Sequence, residues 1–275
     1  MSGDIQFMPT TYAHYRLGEE VRRQLPEELQ KRIRQNLELF HIGVHGPDHM
    51  FYYNPLCHNK VGELGTLIHE EAGKKFFSNA ARIIHKSDKK TAHQAYIYGY
   101  LCHFALDYVC HGYVGEQMEK EGLSHYEIEA EYDRRLLLMD GHANPVEICV
   151  TKHLSPVITN AEVIADFYEG VSVVQVLRSL KGMVFFLNLL RAPSLKKRKL
   201  VFGAMKAAGM YQKMSGLVMN YEENPLCTAT TDEMVRRFPV AVELAAELIV
   251  EYERYLQQGG TLSETFSYNF ESQMA

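Results

Sequence analysis

Cys102-His103-Phe104-Ala105-Leu106-Asp107-Tyr108-Val109-Cys110-His111 is the stretch on which the reading of the fold turns. Three groups able to hold a cation, His103, Asp107 and His111, recur every four residues in it. At 3.6 residues per turn they form one row on a helix, drifting slowly around its face. The residues between them are mostly apolar or aromatic, which places that row in a bundle core rather than on a surface. Thirteen residues beyond Gly112 comes His125-Tyr126-Glu127-Ile128-Glu129, a second His/carboxylate pair at i, i+4. Two such rows converge when their helices lie side by side, an arrangement recurrent in bundle-core metal sites.

Outward from this stretch the pattern stays helical. Apolar residues at three- and four-residue spacing run near 11–40, 61–86, 92–114, 120–140, 160–190, 195–220 and 231–257. Between them stand a Gly/Pro/Asn/His-rich loop over Gly43–Pro55 and the breaks Asn144-Pro145, Ala192-Pro193 and Asn224-Pro225. Alternation of the kind a half-buried strand needs is rare. The expectation is an all-α, single-domain multi-helix bundle over residues 1–259, with a metal cluster in a cleft between helices. Residues 260–275, with Gly260, Ser263, Ser267 and Ser272, read as a loosely ordered C-terminal tail.

The chain of 275 residues carries a net charge of −5, which argues against a dedicated nucleic-acid partner. Its five cysteines (Cys57, Cys102, Cys110, Cys149 and Cys227) include no CxxC pair, so reduced thiols are expected. Met1-Ser2-Gly3-Asp4 shows no basic or apolar leader, and a cytoplasmic location follows as an expectation. Met183–Leu190 is too short to span a bilayer and reads as a buried core helix, with contact at a membrane surface as the alternative. The basic run Lys196-Lys197-Arg198-Lys199 reads as a solvated helix start that can also meet phosphates or an anionic surface.

A lone helical histidine is more often a hydrogen-bonded core residue than a ligand. Five such groups within 27 residues (His103–Glu129) are harder to bury without a cation, so a metal-binding reading outweighs the bland one. Imidazole and carboxylate suit zinc, and are compatible with Mn2+ or Fe2+. His14, Asp48 in Gly46-Pro47-Asp48, and His69 are the further candidates. His41, His45, His49, His58, His85, His93, His142 and His153 are assigned structural or surface roles, and Cys102 and Cys110 packing roles.

The ordered series His14, Gly46-Pro47-Asp48, His69, His103-x3-Asp107, His111 and His125-x3-Glu129 resembles the zinc-dependent phospholipase C family, related in fold to the P1 nucleases. The resemblance is close over the first half of the chain and rests on helical character alone beyond about residue 135. It implies an all-helical fold holding two or three zinc ions. By that resemblance His111, His125 and Glu129 hold one ion. Asp48, His69, His103 and Asp107 hold a second, and Asp107 bridges to a third bound by His14. In secreted members the third ion is completed by an N-terminal tryptophan; this chain has no tryptophan, leaving Met1 as the amino group that could reach.

The implied activity is metal-dependent phosphoester hydrolysis, phospholipase C-like, by a metal-activated water, with Asp48 as the residue that orients or deprotonates it. The substrate is then a phospholipid or a small phosphoester. Two alternatives share the residues: a nucleotide or nucleic-acid phosphoesterase, and a non-catalytic metal-binding helical protein. A His-Asp-dependent phosphohydrolase is disfavoured, because no histidine here is followed directly by aspartate.

Overall fold

A computed structural model describes residues 11–274. Its first helices are α1 (Thr11–Gln24), α2 (Glu27–Gln35), α3 (Leu37–Gly43), α4 (Lys60–Glu70), α5 (Gly73–Lys86) and α6 (Lys90–Glu121). There follow α7 (His125–Met139), α8 (Ile158–Ala165), α9 (Val173–Leu190), α10 (Leu195–Ala207), α11 (Tyr211–Met214) and α12 (Thr228–Gln258). Short 3-10 turns lie between some of them, and no strand occurs among the described residues. The all-α expectation holds.

The bundle is organised around α6. Every residue from Ala95 to Asp107 is buried, so this helix is enclosed on all sides rather than amphipathic. Its 32 residues make it about 48 Å long. The helices α1, α3, α5 and α12 surround it. Against α3 the two backbones nearly touch: a Cβ on Gly99 would fall 2.2 Å from the Phe40 carbonyl, and one on Gly43 2.1 Å from that of Tyr96. Only glycine at both places permits that approach. Gly122, at φ 67°, ends α6, and the Ser124 hydroxyl accepts the Glu127 N–H to start α7.

Three expectations need correction. The Gly43–Pro55 stretch is not an open loop, because Asp48–Tyr52 form a buried 3-10 turn. Its backbone groups are satisfied locally, with Asp48 N–H donating to the His45 carbonyl and Met50 N–H to that of Pro47, so it can leave water. The run Met183–Leu190 does not form a buried core helix. One side of α9 packs inward through Val176, Leu180, Met183 and Leu190, while Val174, Phe185 and Leu189 stand exposed.

Nor is the C-terminal segment loose. Phe266 and Phe270 are fully buried, Phe270 N–H donates to the His69 carbonyl, and Gly73 N–H donates to that of Tyr268. The serine and glycine content that suggested a tail hid two aromatic anchors. Removing one of them, Phe270→Ala, should cost about 3–5 kcal/mol. The loss should appear as a Tm lowered by on the order of 10 °C in thermal denaturation.

Candidate functional site

All eight nominated residues converge. His103, Asp107 and His111 come from α6, His14 from α1, Asp48 from the 3-10 turn, His69 from α4, and His125 with Glu129 from α7. Asp107 sits at the centre. Its Oδ1 lies 3.4 Å from His14 Nε2 and 3.5 Å from His111 Nε2. Its Oδ2 lies 3.1 Å from His103 Nε2 and 3.9 Å from His69 Nε2. Around it the donors fall into three groups able to hold a metal: His14/His103/Asp107, Asp48/His69/His103 and His111/His125/Glu129. Within them Asp48 Oδ1 is 3.2 Å from His69 Nε2, and His125 Nε2 is 2.9 Å from a Glu129 oxygen.

The donor set fits divalent cations. Asp48 Oδ1, His69 Nε2, His103 Nε2, His125 Nε2 and both Asp107 oxygens are buried with no hydrogen bond. Leaving two carboxylates and several imidazoles so arranged costs on the order of several kcal/mol, and a bound cation offsets that cost. Electrostatics already favour ionised carboxylates. Burial opposes it, but His103 and His111 hold the Asp107 carboxyl well below its usual range, and His125 with His111 lower Glu129 to about 2. Burial, reinforced by His103, lowers His14 to about 4, leaving its imidazole neutral as a ligand must be.

A supporting layer aims these groups. His69 Nδ1–H donates to the Gly65 carbonyl at 2.8 Å; a carbonyl can only accept, so Nδ1 bears a proton and Nε2 is the nitrogen left to face Asp48 and a cation. Gly46 has φ 47°, and a Cβ there would lie 2.2 Å from His103 Cδ2, so the turn bearing Asp48 rests directly on that imidazole. Phe270 closes the far side, its ring centroid 5.1 Å from His69 and 5.7 Å from His103. Asp133 accepts the Tyr12 N–H at 2.9 Å and the Ala13 N–H at 2.8 Å. It thereby caps α1 from α7 and fixes the residue next to His14.

Asp133 and His45 are the residues that reading the sequence missed. Asp133 was visible: 125, 129 and 133 repeat at four just as 103, 107 and 111 do. His45 stacks edge-on to His14 (6.3 Å) and pairs with His153, Nε2 to Nε2 at 2.7 Å, a contact nothing local announces. The other default assignments stand where side chains are paired, as with His93 on Asp166 at 2.8 Å. Cys102 and Cys110 are buried free thiols; burial pushes both up, Cys110 to about 12, which suits packing and not nucleophilic attack. The expected reach of Met1 toward the third group falls outside the described residues.

Where α7 and α9 meet the end of the Asp48 turn lies a small, mostly apolar cleft. Tyr52, at the end of the turn that begins with Asp48, lines it with Ala130 and Asp133 of α7 and Leu187 and Leu190 of α9.

The fold and centre define a helical protein with a His/carboxylate cluster able to hold more than one cation. The family model for zinc dependent phospholipase C matches residues 13–170, more than half of the chain and all eight residues, and the chain belongs to that family. Neither a search of curated proteins nor one of solved structures returned a match.

Two outcomes follow from this geometry. In the cation-free protein His111 stays protonated up to about pH 9, because Asp107 and Glu129 overcome the effect of burial. A cation must displace that proton, so apparent affinity should rise with pH and level off near 9. Zinc added at pH 7.5 should acidify a weakly buffered solution, as read by an indicator dye. Replacing Asp133 by Ala should cost about 1.5–3 kcal/mol in thermal denaturation and lower the metal content. Asp133→Asn, which keeps an acceptor, should lose less.

Proposed function

We propose that the protein is a metal-dependent phosphodiesterase of the phospholipase C type. The observation that carries this reading is the carboxylate of Asp107, each oxygen of which faces two imidazoles from different elements. A single closed structural ion needs four ligands. Eight donors around a shared carboxylate suit two or three ions, and zinc is the family's metal. We assign His111, His125 and Glu129 to one ion and Asp48, His69, His103 and Asp107 to a second. His14, with Asp107, is assigned to a third. Held there, divalent cations would neutralise the phosphoryl oxygens and acidify a water for in-line attack.

The chain's own residues supply the rest. The row of α6 keeps the donors rigid, since the helix is buried along its whole middle. Asp48, presented by the turn against His69, is the residue assigned to orient the attacking water and take its proton. His69 can serve only through Nε2, because its Nδ1 proton is committed to Gly65. The apolar cleft lined by Tyr52, Leu187 and Leu190 favours a substrate whose leaving alcohol is lipid-like, which supports a phospholipid over a nucleotide.

The test is product analysis with phosphatidylcholine, using zinc-loaded and chelated protein, with bis(p-nitrophenyl) phosphate as a soluble phosphodiester. The loaded protein should release diacylglycerol and the phosphorylated head group, and chelation should abolish both reactions. Asp107→Ala should bind fewer ions by elemental analysis and lose at least about a hundredfold in kcat. A loaded protein with several ions per chain and no turnover on any phosphoester would leave a non-catalytic metal-binding role instead.

A further inference from the structure

Charge is segregated along this chain. Between Gly170 and Tyr221 there are nine Lys and Arg residues and not one Asp or Glu. The whole chain is −5, so this segment's +9 is set against −14 for the remainder. It begins where the family match ends, at residue 170, and includes α9 and α10.

The exposed side of α9 is a single line of residues. Val174, Arg178, Lys181, Phe185 and Leu189 are spaced by four, three, four and four, and all five face solvent. Val174 is 70%, Phe185 61% and Leu189 43% exposed, and with Leu195 and Leu200 of the next helix they gather on one face. Grooves flank the Lys181–Phe185 ridge: one is floored by Pro156, Val184 and Leu189, the other by Pro55, Leu56 and Phe186. The next helix continues the pattern with exposed Leu195, Lys196, Lys199 and Leu200. Lys197 and Arg198 turn inward instead, to the Asn188 and Met219 carbonyls, so the basic run is only half a solvated one.

We propose that this face of α9 and α10 is the surface by which the protein docks on an anionic lipid bilayer. Alternating basic and large apolar residues on one helical line suits the boundary between head groups and acyl chains. The helix is long and apolar enough to cross a bilayer. Arg178 and Lys181 at its middle, and its inner side packed on protein, set it along the membrane surface instead. A nucleic-acid partner would call for stacking aromatics, and the exposed apolar residues here are aliphatic apart from Phe185. One flank of α9 shows why docking belongs here: Gly182 lines the groove beside Phe185, and a Cβ on it would lie 2.3 Å from the carbonyl of Tyr52, at the end of the turn carrying Asp48. Lipid held on the ridge of α9 therefore lies beside the turn that carries Asp48. The purpose of docking rests on the hydrolase reading; the docking itself does not.

The chain has no tryptophan, so Phe185→Trp places a single tryptophan on the ridge, excited selectively over the tyrosines. Its emission should shift to the blue with vesicles of phosphatidylcholine containing about one-third phosphatidylglycerol, and not with phosphatidylcholine alone or with single-stranded DNA; raising the salt should reverse the shift. In that background Lys181→Glu with Lys199→Glu should weaken vesicle binding at least about tenfold. Turnover of the soluble phosphodiester and the Tm should stay unchanged. A folded Phe185→Trp protein with no vesicle-dependent shift overturns the proposal. So does an equal shift in the charge-reversed variant, or one that tracks self-association in sedimentation equilibrium. Loss of soluble turnover in the parent protein would instead count against the hydrolase reading and leave the docking result standing.

Discussion

Burying Asp107 is the constraint on which the rest of the structure depends. A carboxylate with both oxygens out of water and no hydrogen bond is among the most costly things a core can hold. Here it is enclosed by His14, His69, His103 and His111, and those imidazoles point lone pairs or shared protons at it without satisfying it. The arrangement is self-consistent only when positive charge occupies the gaps between the groups. In the cation-free protein part of that charge is the proton on His111, held up to about pH 9 by Asp107 and Glu129. The stability of the core and the occupancy of the site are therefore one quantity, and chelation reports on both.

Such a cluster needs rigid suppliers, and the fold provides them at close range. The glycine contact between α3 and α6 brings the Val44–Asp48 turn onto the central helix, and Gly46 lets its backbone rest on the His103 ring. On the opposite side Asp133 reaches from α7 to the first turn of α1, so the helix bearing His14 is tied to the one bearing Glu129. Burial pushes the Asp133 carboxyl up to about 8 although both backbone donors oppose it. The outcome is opposite to that at Asp107: with no imidazole beside it, burial outweighs the helix terminus and favours the neutral carboxyl.

How much of this was legible in the sequence depended on whether the signal was periodic. The rows 103/107/111 and 125/129 announce both the helices and their shared core, and the eight candidate residues do meet. Asp133 extends the second row and was overlooked only because an aspartate without a histidine beside it carries no metal signature. Contacts that join distant segments left no trace: Phe270 against His69, and His45 against His153, depend on how the chain returns. Composition misled at the C-terminus, where serine and glycine outnumber the two phenylalanines that do the anchoring. It misled again at Met183–Leu190, where a run apolar enough for a core has only one side inside.

That last error has a physical reading. A helix apolar on its outer side is normally covered, and α9 leaves Phe185 and Leu189 in water among the densest basic stretch of an otherwise acidic chain. Solubility alone does not call for this, since the chain elsewhere keeps its surface acidic at ample net charge. Two kinds of surface want that combination: an acidic protein with apolar pockets, and a lipid bilayer with anionic head groups. The alternation of Arg178 and Lys181 with Val174, Phe185 and Leu189 along one helical line favours the bilayer, which offers head groups and acyl chains side by side along its whole surface. The same helix meets the turn of Asp48 through Gly182 and Tyr52, so a surface held on the ridge lies beside the segment that carries that carboxylate.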